Sequence, residues 1–370
     1  MRILAVSHPS VVDVNQRVYR SLERMGHDLA IVVPARWRHE YAQGDVRPRR
    51  LEGFTGAILP VPIALPGNIP LHAYLARARK VVRRVAPDVV FAEAEAYSVA
   101  AFQWTTAAAA LGIPAFFYAA QNLARRYPAP MRLMESRVWA ASQGAAAVSD
   151  EAQAALRSRG YRGRVDIVPL SVDTEAFAGT RRDNELGSRL GLRRFVVGFA
   201  GRLVPEKGIE VLLRAHDVMA MRDETSILVV GSGPLEGTCA GHDGAVVATG
   251  VEHLEVPRYL ALMDLLAIPS LTTPSWKEQF GRVAVEAMAT GVPVVASDSG
   301  HLPQLMSETG GGIVVPEGDP VTLARELDRL LLDREARAAL SRQGSQAVNE
   351  RFSNAAAATR LAALLGSHVA

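Results

Sequence analysis

The sequence predicts an α/β protein made of two open parallel-sheet units. Apolar, β-branched runs alternate with amphipathic helical stretches along the whole chain, as in strands joined by crossover helices. The alternation forms two series, and residues 169–191 interrupt both periodicities with turn-forming residues such as Asp173 and Asn184. A length of 370 residues also suits two domains of ordinary size.

The strands follow from these apolar runs. The first series predicts strands near 2–7, 29–33, 88–92, 114–118, 145–148 and 165–168, and helices at 15–25, 71–85, 97–110 and 132–140. The second series predicts strands at 195–200, 226–230, 245–248, 265–268, 292–296 and 312–315. The chain after about residue 320 is predicted to be helical. We therefore expect domains at 1–170 and 171–353, with a last helix within 354–370 that crosses back onto the first.

The composition limits the class of protein. Apolar residues make up 49% of the chain and Gly and Pro are spread through it, which is typical of a globular protein. The single Cys239 excludes an internal disulfide, and the N-terminus enters a strand pattern without a long apolar signal segment, so the expected compartment is the cytoplasm. No apolar run approaches the roughly 18 residues that span a bilayer.

Charge is unevenly distributed: the first 180 residues carry a basic excess and the remainder an acidic one. A basic half is compatible with nucleic acid, an anionic membrane or an acidic substrate, and equally with a merely Arg-rich composition. The basic segments lack interleaved aromatic residues for base stacking, so nucleic-acid binding is not predicted.

Loops that follow strands are the candidate binding segments, because ligands of open α/β sheets bind beyond the carboxyl ends of the strands. In the loop 201–208, Arg202 and Lys207 supply a guanidinium fork and a compact ammonium suited to a pyrophosphate. Gly233, in the loop after the next strand, lets a ligand approach the backbone. The turn at Gly250 would then lie beside a base or ribose.

Residues 278–296 combine two carboxylates with a predicted helix at 281–291. The amides of Gly281, Arg282 and Val283 open this helix, where a phosphate is readily received. Glu278 lies in the loop before these amides, and Glu286 lies more than one turn inside the helix. The two carboxylates should therefore contact different parts of one extended ligand, each accepting hydroxyl groups of a sugar or ribose.

Five motifs in this half together resemble one family. They are Gly-Arg-Leu-x-x-Glu-Lys-Gly at 201–208, Gly-Ser-Gly-Pro at 231–234, Glu-x-Phe-Gly at 278–281, Glu-Ala-Met-Ala-x-Gly-x-Pro-Val-Val-Ala at 286–296, and a diluted Gly-Gly-x-x-Glu at 300–304. In this order they resemble the retaining GT-B glycosyltransferases, specifically glycosyltransferase family 4 (glycosyl transferases group 1). The resemblance implies a GT-B fold, with two Rossmann-like domains facing across a cleft.

The resemblance also assigns roles. It implies that Arg202 and Lys207 bind the donor diphosphate, that Glu286 binds the ribose hydroxyls and that Glu278 positions the donor sugar. The other residues that it places in the donor site are Gly233, Gly250, Phe280, Gly281, Arg282 and Val283. His301 replaces a family glycine near the donor, so we expect it to bear on sugar preference.

The first half matches this family less closely. Residues 11–15 stand where many members carry a glycine pair, so a backbone contact to the donor phosphate is not expected there. The acidic loop 93–98, which contains Glu95, and the pair Gln121-Asn122 resemble a subset of members. With His8 and Asp13, these residues form the expected acceptor side. For His8, capping of the turn before Pro9 is an equal alternative, and Glu95 has the alternative of a solvated loop residue.

The mechanism implied is metal-independent. Fixed cations and helix amides can stabilise the charge that develops on a leaving diphosphate, and the chain has no Asp-x-Asp motif. No metal and no cofactor are therefore predicted beyond the nucleoside-diphosphate sugar as donor substrate. The acceptor proton would pass to the departing phosphate oxygen or to a carboxylate, for which Glu95 is the first candidate.

The leading hypothesis is a retaining transferase that moves a hexose-type sugar from a nucleoside diphosphate to a hydroxyl acceptor, either a small molecule or a lipid-linked one. The Ala- and Arg-heavy composition suits a bacterium, in which cell-envelope glycolipids, polysaccharides and secondary metabolites are candidate acceptors. Two alternatives are a sugar-nucleotide epimerase or phosphorylase of the same fold, and a non-catalytic sugar-nucleotide or polyanion binder.

A peripheral membrane contact is a further hypothesis. The predicted helix 71–85 carries five cations beside an apolar stripe that includes Leu71, Tyr74 and Leu75, an arrangement that could rest on an anionic membrane. The alternative is a solvated basic face on a helix that packs on the core.

Overall fold

A computed structural model describes residues 1–38 and 45–367. The chain forms two compact units, Met1–Pro169 with Asn354–Ala370, and Leu170–Ser353. Each unit is built on its own parallel sheet, so the α/β class predicted from the alternating apolar runs is confirmed.

The described residues of the first unit form eleven strands: β1 (Arg2–Ser7), β2 (Asp28–Pro34), β3 (Trp37–Arg38), β4 (Asp45–Val46), β5 (Ala57–Val61), β6 (Ile63–Ala64), β7 (Ala73–Tyr74), β8 (Val89–Glu93), β9 (Ala115–Ala119), β10 (Gly144–Ala147) and β11 (Arg164–Ile167). Its first five helices are α1 (Arg17–Arg24), α2 (Ala78–Val85), α3 (Val99–Ala109), α4 (Ala129–Ala141) and α5 (Asp150–Ser158). Short 3-10 helices at Pro9–Val11 and Asp13–Gln16 fill the loop after β1.

Seven of these strands form one parallel sheet in the order β11-β10-β9-β8-β1-β2-β5. Helices cover both faces, so the central strand β1 is apolar throughout its interior and Ile3, Leu4 and Ala5 are fully buried. β1 pairs with β2 on one side and with β8 on the other. The chain reverses direction across the sheet at this point, which places the loops after β1 and β8 beside each other.

The prediction of a helix over 71–85 was wrong in its first half. Residues Ala73–Tyr74 form β7 and pair with Ile63–Ala64, and the helix begins only at Ala78. The side chain of Gln103 on α3 accepts from the Tyr74 amide at 2.9 Å and donates to its carbonyl at 3.1 Å. Both backbone groups of Tyr74 are thus satisfied by tertiary partners, which overrides the local helical pattern.

The edge strand β5 was not predicted. It pairs in parallel with β2 and is mostly half-exposed, with Pro60 and Pro62 in and beside it. Proline is tolerated at a sheet edge because no neighbour needs its missing amide, whereas the same residue argues against a strand when only the sequence is read.

The second unit contains six strands: β12 (Phe195–Ala200), β13 (Thr225–Val230), β14 (Ala245–Ala248), β15 (Leu265–Ile268), β16 (Val294–Ser297) and β17 (Gly312–Val315). Its helices are α6 (Thr174–Ala178), α7 (Asn184–Arg189), α8 (Ile209–Val218), α9 (Glu236–Ala240), α10 (Val256–Leu260), α11 (Arg282–Ala289), α12 (Leu302–Thr309), α13 (Pro320–Leu332) and α14 (Arg334–Arg351). Further 3-10 helices lie at Pro205–Lys207 and Arg222–Glu224.

The second sheet is parallel in the order β14-β13-β12-β15-β16-β17. After β12 the chain builds β13 and β14 on one side, then returns to β15 on the other side of β12. Such a reversal opens a crevice beyond the carboxyl ends of the two central strands, where ligands of open α/β sheets bind. The loops after β12 and β15 therefore frame the expected ligand position within this unit.

The last helix, α15 (Asn354–Gly366), belongs to the first unit and packs on α1. Its leucines Leu361, Leu364 and Leu365 are buried in the core that also contains Tyr19 and Leu22. None of the helices in the described ranges combines the length and the apolar character needed to span a bilayer.

Candidate active site

Lys207 and Glu278 meet at the reversal point of the second sheet. Lys207 ends the 3-10 helix after β12, Glu278 lies in the loop after β15, and Lys207 Nζ is 2.6 Å from Glu278 Oε2. Ser270 donates its hydroxyl to the same oxygen at 3.0 Å. The ring of Trp276 lies 4.9 Å from the ammonium, a cation–π distance. The two groups assigned to the diphosphate and to the sugar are thus neighbours.

Glycines allow the loops around this pair to approach closely. A Cβ on Gly208 would overlap the carbonyl oxygen of Pro269, and one on Gly300 would overlap that of Glu278. Both glycines have a left-handed backbone, with φ of 70° and 57°. The amide of His301 donates to the Glu278 carbonyl at 3.1 Å, which fixes the backbone on either side of the carboxylate.

Helix α11 presents Glu286 as predicted from its spacing. The helix starts after Gly281, which has φ of 82°, and its apolar face of Ala284, Ala287 and Met288 is buried. Glu286 is only 7% exposed and pairs with Arg282 across one turn, Nε to Oε1, at 3.2 Å. Burial raises the pKa of the Glu286 carboxyl, and the Arg282 guanidinium opposes that rise.

The start of α11 is suited to an anion. The first turn of a helix presents N–H groups that have no acceptor within the helix, and the positive end of the helix dipole lies there. Here that turn comprises Arg282 and Val283, directly after Gly281. Such a helix start is a place where proteins bind phosphates and other anions.

Phe280 and His301 are packed against each other. Phe280 is 2% exposed, and its ring stacks on His301 with centroids 5.7 Å apart and planes inclined by 15°. Since His301 is itself buried, any effect on sugar preference would act through the position of the 278–281 loop. Phe280 serves the site by anchoring that loop in the core.

Arg202 and the two remaining glycines follow the carboxyl ends of β12, β13 and β14. Arg202 forms a long ion pair of 4.0 Å with Glu206, and its side chain is 42% exposed. Gly233 lies close to Leu203, whose amide donates to Ser232 at 2.9 Å, which joins the loops after β12 and β13. Gly250 follows the edge strand β14, two strands from β12.

In the first unit, Glu95 is held by backbone amides. Its Oε1 accepts from the N–H groups of Ala120 and Gln121, both at 2.7 Å, at the carboxyl end of β9. Its Oε2 is buried and has no hydrogen-bond partner within the described ranges. Burial raises the pKa of the Glu95 carboxyl, and the two amides oppose the rise. A protonatable group is therefore fixed beside the carboxyl ends of β8 and β9.

Gln121 and Asn122 lie in the loop after β9, next to the Glu95 loop that follows β8, and their side chains have partners. The Gln121 side chain accepts from the Leu123 amide at 3.0 Å, and the Asn122 side chain donates to Glu151 at 3.0 Å. The structure thus brings Glu95 and Gln121 into direct contact and ties Asn122 to the start of α5.

His8 and Asp13 belong to the loop after β1. The His8 ring lies 4.8 Å from Trp37 and 5.3 Å from His72, in an aromatic cluster. His8 begins the 3-10 helix Pro9–Val11 but makes no side-chain capping bond to it. Asp13 accepts from the Val14 amide at 2.8 Å. The surroundings of His8 are therefore aromatic, and the Asp13 carboxylate is held by the start of its own 3-10 helix.

Sequence reasoning missed three residues that shape these sites. Ser270 and Trp276 fix the Lys207 pair, and Arg159 pairs with Glu135 at 3.0 Å in the interior of the first unit. Ser270 carried a usable signal, because it comes just after strand β15 in a loop class that binds ligands. In the described ranges, no three metal-binding side chains are grouped in a way that could hold a metal ion.

The sequence matches two related family descriptions. Residues 11–176 match "Glycosyltransferase Family 4" and residues 194–333 match "Glycosyl transferases group 1". The two matches fall on the first and second sheets, and together they take in most of the chain.

Curated relatives point to the same group. The chain is 32% identical over 218 residues to a D-inositol 3-phosphate glycosyltransferase of Salinispora tropica, covering 51% of this chain and 43% of that protein. It is 32% identical over 219 residues to a GDP-mannose-dependent alpha-(1-6)-phosphatidylinositol monomannoside mannosyltransferase of Mycobacterium tuberculosis, covering 56% and 57%. The chain spans about half the length of the curated relatives it matches.

Solved structures share the fold over the full length. A sucrose-phosphate synthase from Thermosynechococcus elongatus superposes with a TM-score of 0.73 at 18% identity, covering 98% of both chains. Anabaena HepE, solved in complex with UDP and glucose, superposes with a TM-score of 0.74 at 19% identity. The match covers 99% of this chain and 100% of that one. The expected GT-B architecture is confirmed by these likenesses, and the chain is a member of glycosyltransferase family 4.

Proposed function

We propose that the protein is a retaining glycosyltransferase that moves a sugar from a nucleoside diphosphate to a hydroxyl acceptor. The observation that carries the proposal is the Lys207–Glu278 pair at the reversal point of the second sheet. A cation for a leaving diphosphate and a carboxylate for sugar hydroxyls are adjacent there, and the buried Glu286 lies on the next helix, α11.

The diphosphate is bound by charge and by helix amides. Lys207 is fixed by Glu278 and by the ring of Trp276, so it need not reorganise as negative charge grows on the leaving group. The amides at the start of α11 add hydrogen bonds to the same anion. Arg202 is exposed and is proposed to swing onto the diphosphate from the rim. No metal is required by this arrangement.

The sugar and the ribose are held by carboxylates. Lys207 and Ser270 both contact Oε2 of Glu278, which sets the orientation of that carboxylate before the donor arrives. Glu286 is proposed to accept the ribose hydroxyls from its buried position on α11.

The acceptor is proposed to be an alcohol, either a small molecule or a lipid-linked one, met by the first unit. Its proton passes to the departing phosphate oxygen, with Glu95 as the side chain that positions the hydroxyl. Gln121 and Asn122 lie in the neighbouring loop after β9, and the Gln121 amide donates to Glu95. We place the reaction in the bacterial cytoplasm, with peripheral contact to a membrane.

The test begins with the donor. A thermal-shift screen of UDP-, GDP-, dTDP- and ADP-sugars identifies the ligand that raises the melting temperature. The proposal requires that Lys207→Ala and Glu286→Gln each lower the affinity for that ligand, as measured by calorimetry. Unchanged affinity in both variants would refute it. With an acceptor found, the anomeric coupling constant of the product by NMR decides retention. Turnover of the donor without any acceptor would instead indicate an epimerase.

A further inference from the structure

A buried guanidinium lies in the interior of the first unit. Arg159 follows the last residue of α5, and its Nε donates to Oε1 of Glu135 on α4 at 3.0 Å. Only 7% of the Arg159 side chain and 6% of the Glu135 side chain are exposed. Desolvation of two charges offsets much of what a buried ion pair contributes to stability, so the pair by itself does not explain why an arginine is placed here.

The ion pair also leaves most of the guanidinium unused. Nη1 and Nη2 of Arg159 are buried and have no hydrogen-bond partner among the described residues. Buried donors without an acceptor are costly, and such groups in a native protein call for an explanation. In the same unit, Oε2 of Glu95 is a buried acceptor that has no partner within the described chain either. The first unit therefore holds spare donors and a spare acceptor of opposite charge.

Two tyrosines join Arg159 to the loop that carries Glu95. The guanidinium carbon of Arg159 lies 5.7 Å from the centroid of the Tyr127 ring, a cation–π distance. The centroid of the Tyr127 ring lies 4.2 Å from that of Tyr97, with the planes inclined by 31°. Tyr97 comes shortly after Glu95 in the loop after β8. Contacts between side chains therefore run from the end of α5 to the Glu95 loop.

The two charges of the Arg159–Glu135 pair act on Glu95 in opposite directions. Burial has the largest effect and raises the pKa of the Glu95 carboxyl. Besides the two backbone amides described above, the Arg159 guanidinium lowers that pKa, and the Glu135 carboxylate raises it. The tyrosines add no charge at neutral pH, because burial raises the pKa of both Tyr97 and Tyr127. The protonation of Glu95 is thus set in part by a pair held between α4 and the end of α5.

We propose that Arg159 is a positioning residue for sugar transfer, which keeps the Glu95 carboxylate ionised and its loop in place. An ionised Glu95 accepts both backbone amides through Oε1 and still offers Oε2 to the hydroxyl of the acceptor. A protonated carboxyl would present a donor there instead. Glu135 holds the guanidinium, and Tyr127 and Tyr97 link it to the loop. The inference rests on the proposed role of Glu95 in positioning the acceptor hydroxyl.

A purely structural role of the ion pair makes a different prediction. If the pair only ties α4 to α5, loss of either partner should disturb Glu95 in the same direction. The electrostatic role requires opposite directions. Arg159→Met removes the charge that favours the ionised form of Glu95, whereas Glu135→Gln removes a charge that disfavours it. Both variants break the same ion pair, so the sign of the change separates the two roles.

Carbon-13 NMR of the full chain, labelled at the glutamate carboxyls, measures the titration of Glu95 without any substrate. The signal is assigned by its loss in Glu95→Gln. We expect the titration midpoint to rise in Arg159→Met, to fall in Glu135→Gln and to stay near that of the parent in Arg159→Lys, which keeps the charge. In the transfer assay, kcat on the acid limb of its pH profile should be about tenfold lower in Arg159→Met, as expected for loss of a nearby opposite charge, with donor affinity unchanged.

Arg157→Met is the matched control. Arg157 lies on α5 shortly before Arg159, and its guanidinium carbon also lies 5.7 Å from the centroid of a tyrosine ring, that of Tyr161. Its Nη1 donates to the carbonyls of Tyr161 and Gly163 at 3.2 and 2.6 Å, so the substitution removes comparable contacts. The Glu95 midpoint and the acid limb of kcat should stay as in the parent.

Two results would overturn the inference: a Glu95 midpoint that moves the same way in Arg159→Met and Glu135→Gln, and one that moves in neither. Melting curves show which variants are folded. If Arg159→Met does not fold, Glu135→Gln decides alone, and a midpoint that fails to fall rejects the proposal. A midpoint that moves as expected while the acid limb of kcat stays fixed would support the coupling and contradict the role of Glu95 in transfer. A failure of the proposed function is thus recognised separately.

Discussion

The Lys207 ammonium lies 2.6 Å from the Glu278 carboxylate although 71 positions separate the two residues. The pair is mostly shielded, with 22% of the lysine and 9% of the glutamate side chain exposed. Desolvating both charges is costly, and removal of one leaves the other uncompensated. The pair therefore fixes two charged groups in a position where a diphosphate sugar can use both.

The first prediction is that substitutions of Lys207 and of Glu278 affect different parts of donor binding, the diphosphate and the sugar. We expect Lys207→Ala to lower the affinity for the free nucleoside diphosphate and for the intact donor alike. The loss should be about tenfold to a hundredfold, the range for a charge-assisted hydrogen bond. Glu278→Gln should leave the affinity for the free diphosphate nearly unchanged and should lower only the affinity for the intact donor. Calorimetry with both ligands measures this. Equal losses in both variants for both ligands would contradict the assignment of Glu278 to the sugar.

The second prediction concerns the ribose. If Glu286 accepts ribose hydroxyls, the wild type should bind the ribonucleotide better than its 2′,3′-dideoxy analogue by about tenfold, as expected for hydrogen bonds to a charged acceptor. Glu286→Gln should reduce that preference strongly. Calorimetry with the two nucleotides decides the point. A preference that survives in Glu286→Gln would assign the hydroxyls to another residue.

The same substitution carries a third prediction, on stability. Burial raises the pKa of the Glu286 carboxyl above its ordinary value, so between the two values the folded state binds more protons than the unfolded state. Stability therefore falls as pH rises through that window. Glu286→Gln stays neutral, so its melting temperature should exceed that of the wild type at neutral pH and approach it in acid. A lower melting temperature at both pH values would contradict this.

The fourth prediction concerns the close contact between the backbone at Gly300 and the backbone at Glu278. Gly300→Ala should lower the melting temperature and donor affinity together, because its Cβ would overlap the Glu278 carbonyl. Gly191→Ala is the matched control, since Gly191 has φ of 66° and open space around its Cβ position. The control should show only the cost of the left-handed backbone, about 1–2 kcal/mol. If Gly300→Ala bound the donor as tightly as the wild type, the loop would have accommodated the added methyl group and the prediction would be wrong.

The fifth prediction separates the two roles of Glu95. Glu95→Leu removes the acceptor of two amides and should lower the melting temperature, at a cost of about 1–3 kcal/mol for each unsatisfied group. Glu95→Gln keeps an acceptor oxygen and should melt at or above wild type near neutral pH. It should nevertheless lower kcat for transfer while donor affinity stays constant. Full kcat in Glu95→Gln would mark the residue as structural.

Much of the secondary structure could be read from local pattern. The strands of both parallel sheets are continuous apolar runs, because such strands are buried on both faces, and helix α11 showed its buried face in the spacing of Ala284, Ala287 and Met288. The pattern failed at residues 71–77, where Gln103 and β6 bind the backbone in an extended form. It also failed at β5, where prolines obscure an edge strand.

The candidate site divides in the same way. Order and spacing of motifs were enough to single out Lys207, Glu278 and Glu286, because family motifs and loops after strands are visible along the chain. The burial of Glu286, the packing of His301 on Phe280 and the exposure of Arg202 were not visible there. Each depends on neighbours that come from other strands.

The Lys207–Glu278 pair shows the limit of local information most clearly. The residue types and the turn glycines were enough to predict that each of the two loops follows a strand and carries a charged residue. Both features are properties of short segments. That the two loops meet, with Ser270 and Trp276 around them, follows from the order of strands in the sheet. Strand order is set by long-range packing of the helices on both faces, and no short segment contains that information.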